Sequence, residues 1–301
     1  MQNCIKININ HSLINAVGKM AEYYSHSTDQ ELINHYVNHC LNIKVQFNRI
    51  KYILSLINNG CGLFNDSRGS ILEIGSGIGT SCLSIQGLTK AKVYGVEPAN
   101  NTYSPLRKCI DEFIIANPHI LYESLLQGGE NISLPDESID FIYSLEVLEH
   151  VQNPQKVLFE VYRLLRKGGK AYIATNNYDS FYEGHYKKFW NPFISPNANK
   201  HRYIKQGLSP QLFNELNFIT KKQLMSNIKN CGFSHFMFNP PVVSNQLAVE
   251  LEAEFPDNFL LPSTGKNIKP TKLHLLIEKP RVAELLSRFD REYKLYVLIT
   301  K

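Results

Sequence analysis

The chain has 301 residues, 43% of them hydrophobic, enough for one large or two small domains with a substantial core, which excludes an intrinsically disordered chain. A net charge of +5 is too weak by itself to argue for nucleic acid, and six scattered cysteines without a C-x-x-C pair argue against a disulfide framework or zinc site. No apolar run approaches the roughly 20 residues needed to span a bilayer, and the N-terminus lacks a signal-peptide apolar core, so the expected location is the cytoplasm.

Residues 1–68 read as an N-terminal helical cap segment. From Asp29 toward Ile57, Leu32, Ile33, Tyr36, Val37, Cys40, Leu41 and Ile43 recur at helical spacing. Ser27, Thr28 or Asp29 is available as N-cap, and Asn58-Asn-Gly60 is a stop. Residues 69–301 then read as one α/β domain. Ile71, Leu72 and Ile74 form a short apolar run, the mark of a buried parallel strand. Gly75, Gly77 and Gly79 follow at every second position, and apolar residues restart at helical spacing from Thr80. Strand, glycine turn and helix make the geometry of a nucleotide-type cofactor site: backbone approaches ligand closely and free amides at the helix start face it. Glu73 lies inside this strand, and a second strand, Lys92–Val96, ends at Glu97.

Glu73-x-Gly75-x-Gly77-x-Gly79 resembles the first motif of class I S-adenosylmethionine (SAM) dependent methyltransferases. Glu97 stands where that family places the acid that binds both ribose hydroxyls, and NAD-binding folds also use an acid about 20 residues on. The resemblance implies a Rossmann-like seven-stranded sheet, mostly parallel with the last strand antiparallel, and helices on both faces. It also places the N-terminal helices over the ligand opening, so that Tyr23, Tyr24, His35 and His39 either face a ligand or pack the helix onto the core.

Further along, a helix is expected from about Tyr103 to Ala116, a third strand at Ile120–Leu125 and a fourth at Phe141–Ser144. Gln127 to Asp140 resembles the family segment whose first Asp binds the adenine amino group; here that position is Gly128, and Glu130 is the nearby acid. Tyr143 to Val151 resembles the family's post-strand segment, often ending Leu-Glu-His, and the resemblance implies that its first residues line the methionine end of SAM and the transferred methyl. His150 is therefore a candidate general base, with a structural role within the loop as the alternative. Asn153-Pro154 caps the next helix, Lys167-Gly-Gly-Lys170 stops it, and Ala171–Thr175 is the fifth strand. By the resemblance the cofactor set is Glu73, Gly75, Ser76, Gly77, Gly79, Glu97, Pro98, Gly129, Glu130, Ser144 and Leu145.

Residues 176–220 are the least regular. Between His185 and Lys205 five basic residues stand among aromatics with no acid. Insertions here commonly cover the substrate in this family. The segment reads as a substrate lid with His185, Tyr186, Lys187 and Trp190 as contacts to an anionic or aromatic acceptor, or as a surface loop pinned by buried aromatics. A helix capped by Thr220 and ended by Gly232 precedes a strand at Phe233–Phe238, and Tyr293–Thr300 is the final strand, antiparallel and inserted beside the fifth. Helices near 245–255 and 280–290 fill a helical insertion over 240–290, on the substrate side or at an oligomer contact. Asn239-Pro-Pro-Val242 is set aside as a base-methylation motif, since it follows the sixth strand and ends in Val242. No paired-aspartate spacing supports a metal, and none is expected. The expected activity is methyl transfer from SAM to a small-molecule O, N or C acceptor, without nucleic acid and with a homo-oligomer as a possible assembly. The alternatives are an NAD-dependent oxidoreductase of Rossmann type and a non-catalytic SAM-binding partner subunit.

Overall fold

A computed structural model describes residues 8–25, 28, 30–42, 46, 49–50, 53–54, 69–98, 105–119, 121–186, 188–208, 212–240, 282, 285–286 and 288–301. Two helices, α1 (His11–Ser25) and α2 (Gln30–Cys40), come first. Then follow β1 (Ser70–Ile74), α3 (Thr80–Leu88), β2 (Lys92–Val96), α4 (Pro105–Ala116), β3 (Glu123–Leu125) and β4 (Ile139–Leu145). The chain continues through α5 (Pro154–Leu164), β5 (Leu165–Asn176), β6 (Tyr182–Glu183), β7 (Lys188–Phe189), α6 (Pro196–Lys205), α7 (Lys221–Asn230), β8 (His235–Phe238) and β9 (Lys294–Thr300).

The main sheet has seven strands in the order β3-β2-β1-β4-β5-β9-β8. Strands β1 to β5 pair in parallel, and β9 runs antiparallel to both β5 and β8. The sheet runs outward in opposite directions from β1 and β4, the switch point at which such sheets open a crevice beyond their carboxyl ends. Every residue of β1 is buried, as a central parallel strand requires. Its side chains alternate between two cores. Leu72 and Ile74 join Val157, Leu158, Val161 and Leu164 of α5 and Leu224 and Ile228 of α7. Ile71 joins Cys82 and Ile85 of α3 together with Ile50, Ile53 and Leu54. Full burial of each such aliphatic side chain stabilises the fold by roughly 1.5–3 kcal/mol. A third core packs Leu13, Val17 and Met20 of α1 and Ile33 of α2 against Ile78, Leu83, Cys109 and Phe113. This packs the N-terminal helices onto Ile78 of the glycine turn.

The caps form for local reasons. Asn153 Oδ1 accepts from the Lys156 amide at 3.1 Å, with Pro154 opening α5. Thr220 and Gln223 make a reciprocal capping box on α7.

Several boundaries differ from expectation. The third strand is only Glu123–Leu125. α5 ends at Leu164, and the expected stop Lys167-Gly-Gly-Lys170 lies inside β5, where the pairing with β4 slips between Ile139 and Phe141. The left-handed backbone of Gly168 (φ 77°) and the close approach of Gly169 to the Asp140 carbonyl produce this bulge. Residues 176–220 are more regular than expected, containing the β6–β7 ribbon and α6. The helix expected near 245–255 lies outside the described residues, and of 280–290 only 282, 285–286 and 288–290 fall within them.

Candidate active site

Ile74 of β1 pairs across the sheet with Val96 of β2 and Ser144 of β4, so Gly75 and Glu97 leave the sheet one residue later while β4 runs on to Leu145, paired with Ala174. The amides of Gly75 and Ser76 donate to the Val96 carbonyl at 2.8 and 3.0 Å, which bends the turn toward the end of β2. Gly77 then donates its amide to Glu97 Oε2 at 2.8 Å.

The three glycines have different jobs. All have positive φ: 80° at Gly75, 54° at Gly77 and 96° at Gly79. A Cβ on Gly75 would lie 2.1 Å from Val147 Cγ2, and one on Gly79 would lie 2.1 Å from the Tyr122 hydroxyl. These two positions are glycine because neighbouring side chains fill the space. A Cβ on Gly77 would meet nothing within 4 Å. Gly77 is the position where the turn opens onto free space, as a ligand cradle requires.

Glu97 is half-buried, and burial raises its carboxyl to about 7 against the opposing effect of the Gly77 amide. Its Oε2 is held by that amide, which leaves Oε1 for a ligand. Ser144, at the end of β4, is buried with Oγ lacking a partner among the described residues. Leu145 is half-buried and Pro98 exposed.

Glu73 is buried and takes the Ser81 hydroxyl on both oxygens, at 2.6 and 2.5 Å, and the Cys82 thiol at 3.2 Å. Burial raises its pKa, so this acid ties β1 to α3 and supports the turn from behind. Ser76 is buried with Oγ packed on Gly95. Gly129 lies against Ile74 and Val157. Glu130, the expected adenine acid, is engaged with backbone. Its Oε1 accepts from the amides of Gln152 at 2.9 Å and Asn153 at 3.4 Å, bracing the entrance to α5. Gln127, for which no sequence signal spoke, has a buried Nε2 without a partner among the described residues.

The segment after β4 meets the 176–220 segment. Glu146 has a left-handed backbone (φ 60°), and its carboxylate pairs with Lys294 and lies 3.9 Å from Arg49. Lys294 holds this carboxyl down at about 2. Glu149 is fully buried; Oε2 accepts from Thr175 Oγ1 at 2.8 Å, Oε1 has no partner among the described residues, and burial raises its pKa. His150 sets Nε2 3.2 Å from Nε2 of His185. Partial desolvation and the neighbouring His185 push the His150 ring down to about 4. His185 is buried, with Nδ1 2.7 Å from Glu183 Oε1. Burial opposes its charged form, but Glu183 outweighs burial and the pKa is raised. Glu183 was not a sequence candidate; its position two residues before His185 was the one signal available.

Two of the expected substrate contacts are placed elsewhere. Tyr186 and Trp190 are 0% and 2% exposed and form the lid's own core with Tyr178, Tyr203, Phe213 and Leu216. Trp190 Nε1 donates to the Tyr178 carbonyl at 2.9 Å. Both rings pin the segment from inside, so for them the pinned-loop alternative describes the geometry. Lys187 lies outside the described residues. Among the described residues no helix is long and apolar enough to cross a membrane.

A family described as methyltransferase domain matches residues 46–231, more than half of the chain. The mitochondrial ubiquinone biosynthesis O-methyltransferase of Dictyostelium discoideum is 28% identical over 114 residues, 36% of this chain and 35% of that protein. Thiol S-methyltransferase TMT1B of Mus musculus is 40% identical over 107 residues, 35% of this chain and 41% of that one. Phosphoethanolamine N-methyltransferase 2 of Haemonchus contortus, solved with S-adenosyl-L-methionine, aligns with a TM-score of 0.48 at 14% identity, over 82% of this chain and 51% of that one. The chain thus spans well under half the length of the two curated relatives. With a glycine turn at the switch point, an acid ending β2 and an antiparallel β9 beside β5, the chain belongs to the methyltransferase domain family, with the class I fold.

Proposed function

We propose that the protein transfers a methyl group from SAM to a small-molecule acceptor held between the strand ends and the 176–220 lid. The observation that carries this reading is the row formed by Gly77, Glu97 and Ser144 at the ends of three adjacent strands. It offers an open backbone, a free carboxylate oxygen and an orphaned buried hydroxyl to one ligand. These fit SAM: Glu97 Oε1 accepts from the ribose, the Gly77 turn admits the ligand against its backbone, and Ser144 Oγ serves the methionine end. When bound, SAM supplies an electrophilic methyl on a sulfonium.

This chain's residues position the acceptor and exclude water, which accounts for much of the rate in a displacement of this kind. The lid core around Trp190 fixes the wall that His185 presents to the post-β4 segment. No general base is assigned to His150, whose Nε2 is engaged with His185. The family match favours this chemistry over hydride transfer from NAD.

Isothermal titration of the full chain with SAM and with NAD tests the proposal. SAM should bind and NAD should not; NAD binding alone would overturn it.

A further inference from the structure

Glu149 and His150 leave the end of β4, and His185 comes from the lid 35 residues on; a ligand-capable atom from each lies within 4.8 Å of the others. We propose that these three side chains bind one first-row divalent transition ion, leaving an open position for an oxygen or sulfur donor.

The first support is geometric. The two Nε2 atoms are 3.2 Å apart and the ring centroids 5.0 Å apart. Two imidazoles pointing Nε2 at one ion ~2.05 Å away, at ~103°, place the nitrogens ~3.2 Å and the ring centres ~5.0 Å apart. A straight N–H···N hydrogen bond of the same length would hold the ring centres ~5.5 Å apart, and such bonds are usually about 0.2 Å shorter. Both separations match two imidazoles that share one ion.

The second is the supply of acceptors. Glu149 is 0% exposed, Oε2 is spent on Thr175, and Oε1 has no partner among the described residues. A buried carboxylate oxygen without a donor is costly, and a cation supplies what is missing.

The third is charge. Glu149 and Glu183 are both buried, and among the described residues neither pairs with a lysine or arginine. Glu183 is paired with His185, so the carboxylate left for a divalent ion to compensate directly is that of Glu149. Glu183 Oε1 on His185 Nδ1 at 2.7 Å is the carboxylate–histidine–metal arrangement that fixes the ring and its tautomer. Two imidazoles and one carboxylate favour zinc, iron(II), cobalt or nickel over magnesium or calcium.

The site shares no residue with the Gly77–Glu97 cradle, so it stands or falls separately from SAM binding. The test titrates the chelator-treated full chain with Zn²⁺ by calorimetry and with Co²⁺ by visible absorption, with a SAM titration of each variant as the check on folding. One equivalent should bind. His150→Ala and His185→Ala should each weaken Zn²⁺ by more than about 100-fold, and Glu183→Gln by about 10–100-fold, with SAM affinity within about twofold of the parent. If Glu149→Gln fails to fold, the Co²⁺ spectrum of the parent, which reports nitrogen ligands in a site of low coordination, still decides. No saturable binding to the parent, or binding unchanged in both histidine variants, would overturn the proposal and leave a hydrogen-bonded imidazole pair.

Discussion

The Gly77 amide donates to Glu97 Oε2 at 2.8 Å across 20 residues, so the carboxylate that ends β2 also fixes the shape of the glycine turn. One side chain thereby couples the turn to the place where the ribose is proposed to sit. Glu97→Ala removes both contacts and should weaken SAM at least tenfold, since charge-assisted bonds are worth about 1.5–3 kcal/mol each. Glu97→Gln keeps an acceptor for the Gly77 amide and should lose less. Calorimetry on the two variants measures the difference, and equal losses would place the whole effect in the charged contact to the ribose rather than in the turn.

The same carboxyl sets a pH dependence. Its pKa is 4.5 ordinarily and about 7 in the folded chain. A raised carboxyl pKa means the folded state binds the proton more tightly, so this group's contribution to stability falls as pH rises between those values. SAM, which needs the ionised form, should bind more tightly over the same interval. Melting and SAM titrations across it should move in opposite directions in the parent protein, and both slopes should flatten in Glu97→Gln.

The glycines separate folding from binding. Gly75→Ala drives a Cβ into Val147 in addition to the strain of positive φ, and should destabilise by more than about 1 kcal/mol, partly recovered by Val147→Ala. Gly77→Val has open space for its side chain, so beyond the cost of its φ of 54° it should retain the fold and abolish SAM binding. Melts and SAM titrations on both variants compare the two kinds of damage; a Gly77→Val protein with unchanged SAM affinity would mean that the cradle lies elsewhere.

Trp190→Ala empties the centre of the lid core and forfeits the bond to the Tyr178 carbonyl, so it should cost about 3–5 kcal/mol in a thermal melt. Acceptor kinetics measured well below the transition should change little. A large rise in KM with an unaltered melt would return the indole to the acceptor cavity.

Much of the sheet was legible because parallel strands and capped helices declare themselves locally: the apolar run at Ile71, the Asn153-Pro154 start and the Thr220 box each act within a few residues. What escaped depends on partners distant in the chain. The glycine triplet looks uniform in sequence, yet Val147 and Tyr122 decide that only Gly77 opens outward. Lys167-Gly-Gly-Lys170 has the composition of a helix stop, but the neighbouring β4 recruits it into a bulged strand. Spacing rules for metal ligands could not find Glu149, His150 and His185, because the third comes from a separate segment that folds back. Glu130 was the nearest acid in sequence to the expected adenine position, and its bonds to the amides ahead of α5 reach 22 and 23 residues along the chain, beyond any local signal.

Among the described residues β8 is joined to the sheet only through β9, which lies between it and β5. During synthesis on a ribosome, β1 to β5 can assemble early, while β8, complete at Phe238, has to wait for the strand that starts at Lys294 to receive it. Lys294 also pairs with Glu146 beside the proposed acceptor region. The nascent protein therefore possesses its cofactor cradle before that region is braced, and pulse-labelled hydrogen exchange during refolding should show β1 and β4 protected ahead of β8.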